Sequence, residues 1–106
     1  MPKFLVEGSY VGEGVQGLRK EGGSARRAAA ERECASVGGT LEAFYFAFGA
    51  RDFIAIVDYP DNVSAAGVAL LVGASGAIDT HTTVLLTPEE IDAAAKMGGD
   101  FRPPGG

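Results

Sequence analysis

The chain has 106 residues, 46% of them apolar and 22% charged, and carries a formal net charge of −5. A domain of this length buries roughly 65% of its extended-chain surface, so a core forms without disulfide or metal staples. The acidic balance argues against general affinity for nucleic acid, where phosphate neutralisation supplies most non-specific binding. The single cysteine builds neither a disulfide framework nor a zinc-ligand set.

In chain order, Lys3–Tyr10 is the first strand, with Phe4, Val6 and Gly8 alternating against Leu5, Glu7 and Ser9. No cleavable apolar segment precedes it, so no signal peptide is expected. Gly12 and Gly14 mark its exit, and Glu13 to Gly38 has helical composition. Gly22-Gly23 falls in the middle, and each glycine costs a helix interior about 1 kcal/mol relative to alanine. Two segments are therefore expected: a short turn or helix to about Lys20, then a longer helix capped by Ser24. In the second, Ala28, Cys34 and Val37 face inward, while Arg26, Arg27, Glu31, Arg32 and Glu33 face solvent. Cys34 reads as a small buried apolar residue. Gly38-Gly39 stops the helix.

Leu41–Pro60 holds the densest aromatic and β-branched material, interrupted once at Gly49-Ala50-Arg51-Asp52. It reads as a hairpin of two strands. Phe44, Phe46 and Phe48 share one face of the first strand, and Leu41, Ala43, Tyr45 and Ala47 the other. The second, Phe53–Val57, is apolar on both faces, as a strand covered on both sides would be.

Tyr59-Pro60-Asp61-Asn62 then supplies N-cap chemistry for a helix over Val63–Ala74. Val63, Ala66, Gly67, Leu70 and Ala74 share one face of it. Val68, Leu71 and Val72 make it apolar nearly all round, which requires cover on its back as well. The uncharged run Asn62–Ile78 is too rich in glycine and alanine to span a membrane, which needs roughly 18–20 apolar residues. A cytoplasmic protein is expected. Ile78–Leu86 is the fourth strand. Thr87-Pro88-Glu89-Glu90 carries a cap, a first-turn proline and a capping-box glutamate, opening a short helix to about Met97. Arg102–Gly106 has no means of forming regular structure.

The order β-α-β-β-α-β-α implies an α+β fold, ferredoxin-like, with a four-stranded antiparallel sheet and both main helices on one face. The second face then lacks a cover, because the last helix is short and polar. Pairing with the sheet of a second copy solves this and makes a homodimer. The alternative is that the last helix folds under the sheet.

GSY at Gly8–Tyr10, EGG at Glu21–Gly23 followed by Arg27, FYFAFG at Phe44–Gly49, DYPDN at Asp58–Asn62 and TTVLLTPEE at Thr82–Glu90 together resemble the GYD-domain family. The resemblance covers nearly the whole chain. It implies a dimeric α/β-barrel, ferredoxin-like domain over residues 1–106, with 98–106 an irregular tail. At the naming motif the chain departs, reading Gly49-Ala50-Arg51-Asp52 where the family tends to carry Gly-x-Tyr-Asp. The family has no settled activity. Its wider group includes cofactor-free monooxygenases and muconolactone isomerases, which work in a pocket beside the sheet, and members without demonstrated catalysis.

There is no nucleophile elbow, Walker loop or metal-ligand spacing here, and no cofactor is expected. His81 alternates with Thr80 and Thr82 on a strand that pairs with the one carrying Glu7. Together they form a minimal acid–base pair, or else a partly exposed cross-strand pair. Tyr10 and Tyr45 are pocket-lining candidates or amphipathic core residues. Asp52 either contacts a ligand or stabilises the hairpin through backbone hydrogen bonds. Gly23, Ser24 and Arg27 form an anion-cradle candidate at a helix start, against a plain helix break. The expected function is a homo-oligomeric protein binding a small organic molecule. A cofactor-free enzyme and an assembly protein without ligand are the alternatives.

Overall fold

A computed structural model describes residues 1–106. The elements are β1 (Lys3–Tyr10), α1 (Gly14–Glu21), α2 (Gly23–Ser36), β2 (Thr40–Phe46), β3 (Phe53–Asp58), α3 (Asn62–Ala74), β4 (Ile78–Leu85) and α4 (Pro88–Ala95). The strands form one sheet in the order β2-β3-β1-β4, with every neighbouring pair antiparallel. This is the ferredoxin-like arrangement that the element order implies.

Alternation along each strand sorts the side chains onto two faces. Phe4 from β1 and Ala55 and Val57 from β3, with Tyr59 just beyond that strand, meet Cys34 from α2 and Ala65 from α3 in one buried cluster. Both main helices therefore cover the same face. Phe53 stacks on Phe44 at 5.3 Å and meets Tyr10 at 5.8 Å, so an aromatic row runs along one end of it. Gly8 makes this row feasible, because a Cβ there would overlap the Phe53 ring.

The break at the glycine pair is present, and Gly22 is its pivot. Its φ of 85° and ψ of 170° belong to backbone that only glycine adopts without strain. Ser24 is not the cap. Gly22 itself holds the N-cap position of α2, no side chain caps the helix, and Ser24 is exposed. The chain enters α2 directly from α1, so the turn leaves no separate capping residue.

Two facial assignments differ from the sequence reading. In β2 the register runs Leu41 to Val57 and then Ala43 to Ile56, so Glu42 is an extra residue in a β-bulge. The bulge turns Leu41 to the helix-covered face, where it packs against the core with Phe44. Phe48 lies beyond the strand and is exposed. In α3 the inward residues are Ala65 and Val68, while Val63, Leu70 and Leu71 face outward. A helix apolar on all sides carries no local information about which side turns in.

The fourth strand ends in the expected cap. Thr87 accepts from the Glu90 backbone N–H at 3.1 Å, and Glu90 accepts from the Thr87 N–H at 2.9 Å, with Pro88 in the first turn. The helix that follows does not fold under the sheet: every residue from Leu86 to Gly106 is exposed. Leu5, Ile54, Ile56 and Leu85 consequently lie on a sheet face that no part of the chain covers. No helix is long and apolar enough to cross a membrane.

Candidate functional site

The residues expected at a site fall on opposite faces of the sheet. On the open face, antiparallel register places Tyr45 opposite Ile54, Ile54 opposite Glu7 and Glu7 opposite His81, one straight row across four strands. Tyr45 is 71% exposed and His81 is exposed. Glu7 and His81 are direct cross-strand neighbours, yet their side chains form no ion pair and border neither of the two spaces on the covered face. Farther along this face, Lys3 donates to Glu42 at 2.8 Å and to Asp58 at 2.9 Å. Those two hydrogen bonds raise the pKa of the ammonium.

The covered face holds the concavity. A cleft of about 710 Å³ opens between α1 and α2 on one side and α3 with the start of β4 on the other. Beneath it, between helices and sheet, lies an apolar cavity of about 60 Å³. Tyr10, Arg26, Glu33, Val68, Val72 and Ile78 border both spaces. Tyr10 arrives as the last residue of β1. Arg26, Ala30 and Glu33 follow one another at helical spacing, so a single stripe of α2 turns all three toward the inner cavity, with Arg26 and Glu33 also bordering the cleft.

Asp52 anchors the end of β1 beside the cleft. Its carboxylate accepts the Tyr10 backbone N–H at 2.9 Å, and its own N–H donates to the Gly8 carbonyl at 2.8 Å. The Ala47 N–H in turn donates to the Asp52 carbonyl at 2.8 Å. The hairpin loop is thereby pinned to the end of β1, at the residue that lines the cleft. Asp52 does not itself border either space, so its geometry is that of the backbone-bonding role.

Burial raises the Tyr10 phenol above its ordinary pKa, and the neighbouring Arg26 moderates that rise. Tyr10 is thus a neutral hydrogen-bond donor at neutral pH. For Arg26, burial opposes the charge, but Glu21 and Tyr10 outweigh it and raise the pKa. Glu21 accepts from Arg26 Nη1 at 3.2 Å. Deeper in, burial raises both the Cys34 thiol and the Tyr59 phenol, whose heteroatoms lie 4.0 Å apart. A thiol in that setting is inert.

The expected anion cradle is not assembled as a unit. Gly23 opens α2 with its Cα against the Phe46 ring, Ser24 points to solvent, and Arg27 pairs with Glu31 at 3.5 Å. Arg26, its neighbour, is the arginine that turns inward. Arg26 and Glu33 both read as solvent-facing from sequence. The signal that could have found them is their seven-residue spacing about Ala30, which puts a charged residue at each end of an otherwise small-residue stripe. No group of three or more His, Cys, Asp or Glu side chains could hold a metal ion.

The GYD domain family matches residues 4–95. The chain belongs to the GYD-domain family. Comparison with curated proteins and with solved structures returned no match. The match takes in every strand and helix just described except Lys3, the first residue of β1. In this GYD domain the motif position Gly49-Ala50-Arg51-Asp52 lacks the tyrosine, while Asp52 ties the hairpin to β1.

Proposed function

We propose that this GYD-domain protein is a homo-oligomer that binds a small organic molecule in the cleft between α1–α2 and α3. The observation that carries the reading is the cleft itself: about 710 Å³, opening onto an apolar cavity, with Tyr10, Arg26 and Glu33 where the two meet. Concave sites of this volume, mainly apolar with a few convergent polar groups, are the usual form of small-molecule pockets. Native mass spectrometry of freshly purified protein tests it through a co-purifying ligand. Amide shift mapping with small organic probes then gives its position. Shifts confined to the open sheet face, or no bound molecule with either method, would leave an assembly role.

Self-association is supported by the uncovered face. Leu5, Ile54, Ile56 and Leu85 form an apolar band over three adjacent strands, β3, β1 and β4, and a second copy supplies a surface of matching character. The C-terminal segment adds to this. An isolated eight-residue helix is marginal in water even when well capped, and α4 buries none of its residues, Ile91 included. The free, buried Cys34 suits a reducing cytoplasmic setting.

Tyr10 favours one second reading, a cofactor-free enzyme of the isomerase or monooxygenase type. A phenol kept protonated beside a guanidinium is equipped to donate a proton to a bound carbonyl or enolate oxygen. A Tyr10→Phe variant then retains binding but co-purifies with a different molecule from the wild type. Identical ligands in the two preparations would remove catalysis by this group.

A further inference from the structure

Resting on the cleft as the binding site, we infer that its ligand is two-ended: a carboxylate at Arg26 and Tyr10, a protonated amine at Glu33, and an apolar body between them. Arg26 and Glu33 are seven residues apart on one stripe of α2, which spans about 10 Å of helix axis. Ala30 lies between them, and Val68 and Val72 of α3 border the same space. The wall is therefore polar, apolar and polar again along its length.

The two charged ends are differently provided for. Arg26 uses Nη1 on Glu21 and faces the Tyr10 hydroxyl. A guanidinium has five N–H donors, so it retains capacity for an incoming carboxylate. Glu33 is half-buried, and none of the four salt bridges of the chain includes it. Its carboxylate accepts no side-chain hydrogen bond either; the Ser36 hydroxyl bonds to its backbone carbonyl instead. Its negative charge is felt at the cavity floor, where it helps to raise Cys34 and Tyr59. Its carboxylate oxygens are not sealed from solvent, so an ammonium entering the cleft gains a charge-assisted contact there without displacing a partner of the chain.

Ligands with one charge fit less well. A simple anion meets Arg26 but also Glu13, Glu21 and Glu33 around the same cleft. A simple cation meets Glu33 but leaves unused the N–H donors of Arg26 that Glu21 does not occupy. The 60 Å³ cavity is too small for the body of such a molecule, though it accepts a methylene or methyl group pressed inward.

The test is an amide-shift titration of the full chain with ε-aminocaproate, hexylamine, hexanoate and hexanol. The two-ended probe is expected to bind at least about tenfold more tightly than either singly charged one, the gain of one charge-assisted contact. Glu33→Gln brings ε-aminocaproate down to the level of hexanoate, and Arg26→Gln to the level of hexylamine. Arg27→Gln, whose side chain pairs with Glu31, leaves all affinities unchanged, and circular dichroism checks that each variant is folded. Equal binding of hexylamine, hexanoate or hexanol overturns the two-ended ligand while leaving the cleft as a site. If none of the four probes, hexanol included, shifts the cleft amides, the site itself is refuted and the inference with it.

Discussion

Replacing Gly22 with alanine perturbs the pivot that separates α1 from α2 and turns Arg26 inward. Gly22 sits at φ 85° and ψ 170°, a region essentially reserved for glycine, where another residue costs about 1–3 kcal/mol. Alanine recovers part of this by restricting the unfolded chain, about 0.4–1 kcal/mol. A net loss of about 1–2 kcal/mol is expected, which lowers the melting temperature by roughly 5–15 °C for a domain of this size. Open space surrounds the position, so strain and not collision is responsible. Gly23→Ala is the contrasting case. Gly23 is the first residue of α2 and has no positive φ, so alanine there gains a part of the helix-interior difference of about 1 kcal/mol. Its Cβ would come within 2.9 Å of Phe46 Cε2, the outer edge of a partly exposed ring that can swing aside. Its effect is near neutral or mildly stabilising. Urea melts of both variants at one protein concentration give the signs. If Gly22→Ala stabilises the fold, residues 14–36 form one continuous helix, and the placement of Arg26 in the cleft is wrong.

Three further outcomes are expected. Ile56→Glu puts a charge in the centre of the open sheet face, so light scattering after gel filtration should show the wild type at twice the chain mass or more and the variant as a monomer; a monomeric wild type refutes the pairing. Burial raises the pKa of Tyr59, so the folded state holds a proton that the unfolded state releases above pH 10; its stability contribution is complete below that value and lost as pH rises further. Tyr59→Phe should flatten this alkaline decline, and an unchanged decline would show that Tyr59 is not the group responsible. The Ser64 backbone N–H and hydroxyl lower the pKa of Asp61 from its ordinary 3.8, so its contribution is present above that value and fades as pH falls below it. Asp61→Asn should therefore be less stable than wild type at pH 7 and closer to it in acid, as read from thermal melts at both values.

Much of the fold was legible because local chemistry and global structure agree. The hairpin around Gly49–Asp52, the break at Gly22-Gly23 and the Thr87–Glu90 capping box are each set by residues within a few positions of one another. The uncovered second face was legible too, since Ile54 and Ile56 are apolar where a solvated strand would be polar. The site was less so. Tyr10, which the sequence leaves as either a pocket-lining or a core residue, is buried and borders the cleft, whereas Glu7 and His81 pair in register on the opposite face. Arg26 and Glu33 escaped notice because a charged side chain on a helix usually reaches solvent, and only the neighbouring α3 makes their stripe a wall.

Sequence by itself determined the element order, the strand alternation and the GYD-domain membership, all of which follow from short-range pattern. Tertiary structure alone decided three things. The bulge at Glu42 moved Leu41 to the core, since register depends on which partner residue each backbone group meets. Packing selected the Ala65–Val68 side of α3, because a helix apolar all round has no preferred face of its own. The cleft came last, as a space between elements far apart in the chain: its walls are α1 with the Arg26–Glu33 stripe of α2, the end of β1 held by Asp52, and the flank of α3. A cavity is an absence of atoms between surfaces, so no single stretch of residues encodes it.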